Sequence, residues 1–214
     1  RFVLAIGGAP GNDFRLSDER LEGGRNFANK IWNASRFALM NLEALSPDAM
    51  AQTHSPEEFS LPDRWIRGRL NETIRSVRKA LDEYKFNEAC HILYQFIWHE
   101  FCDWYLEMTK LYLYREGDQK RQDLTRQTLL EMLDAILRLL HPFMPFITEE
   151  IWQQLPTRKG NESIMVAEFP KPDQQYDDQS VEDEIFVPMD RARMEEEAKR
   201  LQKEILKIEK ESGF

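Results

Sequence analysis

The stretch from Asn87 to Tyr114 constrains this chain more than any other. At about 100° per residue, Ile92, Leu93, Phe96, Ile97, Phe101, Trp104, Tyr105 and Met108 cover almost the whole circumference of a helix. A helix apolar nearly all round belongs at the centre of a bundle, and its few polar residues stand out. The surrounding helices are legible from periodicity over Glu19–Leu42, Asp63–Tyr84, Leu124–Leu140 and Ile147–Leu155. Breakers separate them: Pro47 and Pro56 in the first connection, Gly117 with Asp118 after the third helix, and Pro142 with Pro145 before a short fifth. With 214 residues, 42% of them hydrophobic, the chain can bury a core of its own. The expectation is a mainly α bundle.

After Pro156 the character changes. Ile164, Met165 and Val166 read as a short strand, and Pro170 to Ser180 as an acidic linker. Further on, Met194, Ala198, Leu201, Ile205 and Ile208 alternate spacings of four and three among Glu and Lys, the seam of a coiled coil. No apolar run approaches a membrane span, and no basic stretch with an apolar core precedes Gly7 to suggest a secretory signal. Cys90 and Cys102 lack CxxC spacing, which points to two free buried thiols in a reducing compartment.

The first long helix has an unusual polar side. Asn26, Asn29, Lys30, Asn33 and Phe37 fall on one face with Arg36 at its edge, opposite Phe27, Ile31, Ala34, Ala38 and Leu42. Asn lowers helix propensity and an exposed Phe is poorly hydrated, so a face built from them suits contact with a ligand. Amides pair with base edges, and an aromatic among amides and cations stacks on an unpaired base, which fits single-stranded RNA. The competing reading makes Asn26 a cap, places Asn29 and Asn33 in a polar seam, and packs Phe37 under a loop.

On the second helix Arg64, Arg67, Asn71, Arg75 and Arg78 share a face distinct from the stripe of Ile66, Leu70, Ile74, Val77 and Leu81. That row either grips phosphate or is a solvated face partly neutralised by Glu72, Asp82 and Glu83. On the central helix Asp103, Glu107 and Lys110 form one polar strip with Leu106 beside it. A carboxylate there accepts from a base amino group or pairs with an arginine, and Asp103 reads as an internal ion-pair partner. His91, His99 and His141 are scattered, which fits core or capping roles.

The net charge of −9 is unevenly distributed. Asp173 to Val187 holds Asp173, Asp177, Asp178, Glu182, Asp183 and Glu184 and no base, whereas Arg1 to Leu42 carries a local charge of +2. Anion binding depends on the local patch more than on the total. Catalytic motifs do not emerge. The glycines of GGAPG lack the GK[ST] ending of a phosphate loop, no HExxH or Gly-x-Ser-x-Gly occurs, and the adjacent Glu149 and Glu150 at a helix start favour the dipole rather than form an acid–base pair. No catalytic, cofactor-binding or metal-ligating residue is expected in this chain.

GRNFANKIWNASRFALMNL resembles the start of the anticodon-binding helical domain of the valyl-tRNA synthetases, which are class I aminoacyl-tRNA synthetases. WHEFCDWYLEMTK and LHPFMPFITEEIWQQLP resemble later helices of that domain, in the same order. The resemblance implies four parts: residues 1–18 as a connector after a catalytic domain, 19–156 as the bundle, 157–187 as an extended acidic linker with a short strand, and 188–214 as the start of a coiled-coil arm. It places Leu106 and Glu107 beside the face bearing Lys30 and Phe37. The expected tRNA contacts are Lys30, Asn33, Arg36 and Phe37, with Leu106 and Glu107 as pocket wall and Arg64, Arg67 and Arg75 on phosphate. The implied partner is the anticodon stem-loop of valine tRNA, bound by a cytoplasmic monomer, with self-association through 194–208 as an alternative. ATP and magnesium would serve the intact ligase, and this chain alone would be inactive. Two departures stand out: a small α+β region usual between bundle and arm has no counterpart, and no returning arm helix follows. The corresponding domain of an isoleucyl-, leucyl- or methionyl-tRNA synthetase, or a helical protein-binding scaffold, are the alternatives.

Overall fold

The apolar central helix is present, but not as one regular helix. In the computed structural model, which describes residues 1–8, 15–115, 117–157 and 162–177, it runs as α5 (Phe86–Gln95), a ten-residue π segment (Phe96–Tyr105) and α6 (Leu106–Leu113). Around it lie α1 (Phe2–Gly7), α2 (Asp18–Leu42), α3 (Pro47–Ala51), α4 (Leu61–Asp82), α7 (Gln119–Leu140) and α8 (Pro145–Trp152). From the central helix Leu93, Phe96, Ile97, Phe101 and Tyr105 are buried in the core. A second helix shares the centre: α7 buries Leu129, Leu133, Ile136, Leu137, Leu139 and Leu140, together with Thr125 and Thr128. The threonines made α7 look less apolar in sequence than it is in space.

Local chemistry accounts for the helix ends. Ser60 caps α4 by accepting from the Asp63 N–H at 3.3 Å, with Pro62 in the first turn. Asp118 caps α7 by accepting from the Arg121 N–H at 3.1 Å. Before it Gly117 takes φ 86°, a left-handed conformation that glycine adopts without a Cβ penalty. Residues 1–18 contribute more than a connector, since Phe2 is buried and its ring stacks on Phe27 at 4.7 Å. GGAPG begins inside α1 at Gly7, and its remainder beyond Gly8 lies outside the described residues.

One carboxylate joins three of the helices. Asp63, 1% exposed, accepts from the Tyr105 hydroxyl at 2.7 Å, the Ser60 hydroxyl at 2.5 Å and the Thr125 hydroxyl at 3.2 Å. One turn along α4, Arg67 is also 1% exposed: its guanidinium lies 3.6 Å from the centre of the Phe59 ring, 2.7 Å from Glu131 and 2.8 Å from the Tyr176 hydroxyl.

Two expectations about the C-terminal part are corrected. Ile164–Val166 is a 3-10 turn rather than a strand, with Ser163 accepting from the Met165 N–H at 3.1 Å, and no strand occurs among the described residues. Three apolar residues without a pairing partner do not make a strand. The acidic linker, as far as Asp177, is a strap bound to the bundle. Ser163 donates to Glu149 on α8 at 2.6 Å, Arg138 on α7 donates to the Glu168 carbonyl at 2.7 Å, and Arg78 on α4 donates to the Pro170 carbonyl at 3.0 Å. Asn71 then accepts from the Asp173 N–H at 3.0 Å and donates back to the Asp173 carbonyl, and Arg75 pairs with Asp177. The coiled-coil seam from Met194 to Ile208 lies outside the described residues.

Burial holds the Asp63 carboxyl above the usual range, partly offset by its hydroxyl donors and by Arg67. The folded state therefore holds the proton more tightly than the unfolded chain. The stability gained is complete below the ordinary aspartate range and is lost as pH rises through the folded value. Urea unfolding from about pH 4 to pH 8 should show the parent losing stability relative to Asp63→Asn as pH rises, by up to ~1.4 kcal/mol per pH unit inside the window. A pH-independent difference would refute this. Asp63→Ala, which strands three hydroxyls and opens a cavity, should cost about 2–4 kcal/mol at the acid end of that range and less as pH rises. Asn71→Ala should release the strap at a cost of about 1–2 kcal/mol. Hydrogen exchange would then show faster exchange at Asp173–Asp177 with the α7 amides still protected.

Candidate nucleic-acid interface

From Arg25 to Leu42 the chain has no Asp or Glu, although 38 acids occur in the whole. The outer face of α2 therefore presents Arg25, Asn26, Asn29, Asn33 and Arg36 to solvent. Among the described residues the side chains of Asn29, Asn33 and Arg36 make no hydrogen bond or ion pair. The polar-seam reading of Asn29 and Asn33 does not hold here, because the face looks outward. Buried Phe27, Ile31, Ala34, Ala38 and Leu42 hold the helix down from the other side.

Two side chains lean from α2 toward the π segment and α6. Lys30 Nζ lies 2.7 Å from Asp103 Oδ1 and 5.4 Å above the Trp98 ring, and both partners of the ion pair remain about one-third exposed. The second oxygen of Asp103 faces His99 Nδ1 at 3.4 Å. Asp103 is thus the ion-pair partner expected from sequence, with Lys30 rather than an arginine opposite it. Seven residues along α2, Phe37 is half-buried against the core, and Lys110 Nζ sits 6.0 Å from its ring centre. Lys110 reaches both oxygens of Glu107 at 2.9 Å. The two clusters line one seam, with cations, a carboxylate and a ring available at the surface. An ion pair as open to solvent as Lys30–Asp103 is worth roughly 1 kcal/mol or less, so an incoming phosphate or base edge can displace it.

The structure gathers Lys30, Phe37 and Glu107 at this seam, with Asn33 and Arg36 on the adjoining outer face. Leu106 is 6% exposed and supports the seam from beneath, so it does not form an open pocket wall. The arginine row departs further from expectation. Arg67 is enclosed, Arg75 faces Asp177, and Arg64 is half-buried near Glu57. The strap meets Arg67 through the Tyr176 hydroxyl, Arg75 through Asp177 and Arg78 through the Pro170 carbonyl, and of these Arg75 stays nearly half exposed, in a pair as displaceable as that of Lys30. The strap, more than ninety residues away in sequence, thus takes Arg67 out of the row, while Arg75 remains open to solvent.

Three nearby residues escaped the sequence reading. His99 is exposed beside Asp103 rather than in the core, and Trp98 forms the floor under Lys30. Trp32 lies on the outer side of α2 at 38% exposure, and its spacing of three and four from Asn29 and Arg36 was the available signal. His141 does fill a local structural role, with Nδ1 2.8 Å from the Thr148 hydroxyl at the start of α8. Cys90 and Cys102 are free and buried, and burial pushes both thiols up to about 12, far from reactive thiolates. No helix among the described residues is long and apolar enough to cross a membrane.

Comparison with known proteins identifies the family. Residues 63–213 match the family described as the anticodon-binding domain of tRNA ligase. The chain is 55% identical over 171 residues to a valine–tRNA ligase of Carboxydothermus hydrogenoformans, covering 80% of this chain and 19% of that protein. It is 50% identical over 189 residues to a valine–tRNA ligase of Geobacter sulfurreducens, covering 87% of this chain and 21% of that one. The chain thus spans about a fifth of the length of these relatives. Among solved structures, a leucyl-tRNA synthetase of Agrobacterium radiobacter K84, in a ternary complex with tRNA and LeuAMS, aligns with a TM-score of 0.57 at 18% identity over 83% of this chain and 20% of that one. That likeness concerns the fold, and it is the helical bundle that the two share. With the match running from the first turn of α4 through α8 and a bundle fold to go with it, this chain belongs to the family of anticodon-binding domains of tRNA ligases.

Proposed function

We propose that this chain reads the anticodon stem-loop of valine tRNA as part of a cytoplasmic valine–tRNA ligase. The observation that carries the reading is the seam where Lys30 and Phe37 of α2 meet Asp103, Glu107 and Lys110, beside a helix face without acids. Phe37 stacks on an unpaired loop base. Asn33 pairs with a base edge, Lys30 exchanges Asp103 for a base or phosphate, and Arg36 holds backbone phosphate. Glu107, oriented by Lys110, accepts from a base amino group. Burial of the ring edge fixes Phe37 before RNA arrives, so stacking costs little ordering.

Aminoacylation by the whole ligase would use ATP and magnesium. Among the described residues no group of three or more His, Cys, Asp or Glu side chains is placed to hold a metal ion. No step through either group is assigned to this chain, whose part is to bind and orient tRNA.

Titration with a valine anticodon stem-loop, and with one of altered anticodon, should give salt-sensitive binding that prefers the valine sequence. Phe37→Ala should lose about 1–3 kcal/mol. Lys30→Ala should weaken binding and, if it meets phosphate, reduce the salt slope by about 0.7. Equal affinity for an unrelated RNA would defeat the proposal. Asp103→Asn supplies a separate check. Removing the carboxylate frees Lys30 and lifts a repulsion from phosphate, so the variant should bind both stem-loops more tightly and discriminate less between them.

A further inference from the structure

Of the five tryptophans, Trp65 and Trp152 are buried and Trp98 and Trp104 pack against the core, while Trp32 is 38% exposed. Among the described residues Trp32 has no ring contact, cation contact or side-chain hydrogen bond. The open part of the indole, a little over a third of it, is poorly hydrated, and its N–H has no partner among the described residues. Its surroundings are polar and cationic. On α2 it stands three residues from Asn29 and four from Arg36, within the stretch from Arg25 to Leu42 that lacks acids. Trp32 and Phe37 are five residues apart, about 140° around the helix axis and roughly 7.5 Å along it. They flank the outward-facing Asn29, Asn33 and Arg36 from opposite sides.

We infer that Trp32 is a second stacking platform for the RNA, so that α2 meets the loop as a ridge with an aromatic on each flank. This rests on the anticodon-binding reading and extends the contact surface to the side of α2 away from α6. The occupant is an unpaired base of the same RNA, because the lack of acids, the free amides and Arg36 around the indole suit a polyanion rather than an apolar protein surface. Phe37 lies in a seam with Glu107 and Lys110 that supply polar contacts to a base, whereas the neighbours of Trp32 along α2 are the amide of Asn29 and the guanidinium of Arg36. Stacking there tolerates any base, so Trp32 contributes affinity without discrimination between anticodons.

The test is titration of this chain with the valine and altered-anticodon stem-loops, comparing the parent, Phe37→Ala, Trp32→Ala, Trp32→Leu and Trp32→Phe. Trp32→Ala and Trp32→Leu should each lose about 5- to 150-fold in affinity, by the same factor for both RNAs. Trp32→Phe, which keeps a ring, should retain most of the binding. Trp32→Leu preserves apolar bulk if the alanine variant melts early. RNA-dependent quenching of tryptophan emission should also shrink in Trp32→Phe. If Phe37→Ala weakens binding while Trp32→Ala and Trp32→Leu bind like the parent, the Trp32 platform is overturned and the anticodon reading survives. A Trp32 effect confined to one anticodon would likewise overturn the affinity-only role. If neither RNA binds the parent above an unrelated RNA, both fall together.

Discussion

The bundle is organised around a carboxylate in its interior. Asp63 accepts from hydroxyls on the α4 cap, the π segment and α7, so removing it would leave three donors stranded at a junction of central elements. A buried carboxylate is unfavourable without such partners, and satisfying all of them requires one relative placement of the helices. Arg67 extends the same polar line one turn along α4, reaching Glu131 on α7 and Tyr176 on the strap. The apolar packing makes the bundle stable, whereas this line selects how its helices are set against one another.

That setting decides which cations face solvent. Both α2 and α4 carry basic residues at helical spacing, and in sequence the α4 row reads equally as a phosphate grip or as a solvated face. In space the strap crosses α4 and meets Arg67, Asn71, Arg75 and Arg78 with a tyrosine hydroxyl, backbone groups and a carboxylate. The α2 face meets no such cover among the described residues. A modest patch left open matters more to an RNA than a richer one partly covered.

The seam beside α2 depends on the long central helix being irregular. The π segment has a wider turn than an α-helix, and it ends at Tyr105, between Asp103 and Glu107. Lys30 meets Asp103 and Phe37 meets the Glu107–Lys110 pair across this change of winding. π segments form where side-chain placement outweighs regular backbone geometry. Here Tyr105 points inward to Asp63 while Asp103, two residues earlier, faces Lys30. The buried polar line and the surface seam are therefore opposite sides of one piece of helix.

Sequence alone determined the five long helical stretches, because their apolar periods and breakers are local properties, with ends shifted by a few residues where caps such as Ser60 and Asp118 act, whereas the short α1 and α3 and the π winding of Phe96–Tyr105 were not legible in it. It also determined the polar face of α2, since Asn29, Asn33, Lys30, Arg36 and Phe37 lie on one helix and their relative placement follows from its pitch. The approach of Asp103 and Glu107 to that face came from family resemblance rather than from spacing. Only the tertiary structure decided that Leu106 lies beneath the seam, that Arg67 is enclosed, and that Ile164–Val166 turns instead of pairing. Each of those outcomes depends on a partner distant in sequence, and a period read along one segment carries no information about what another segment will cover.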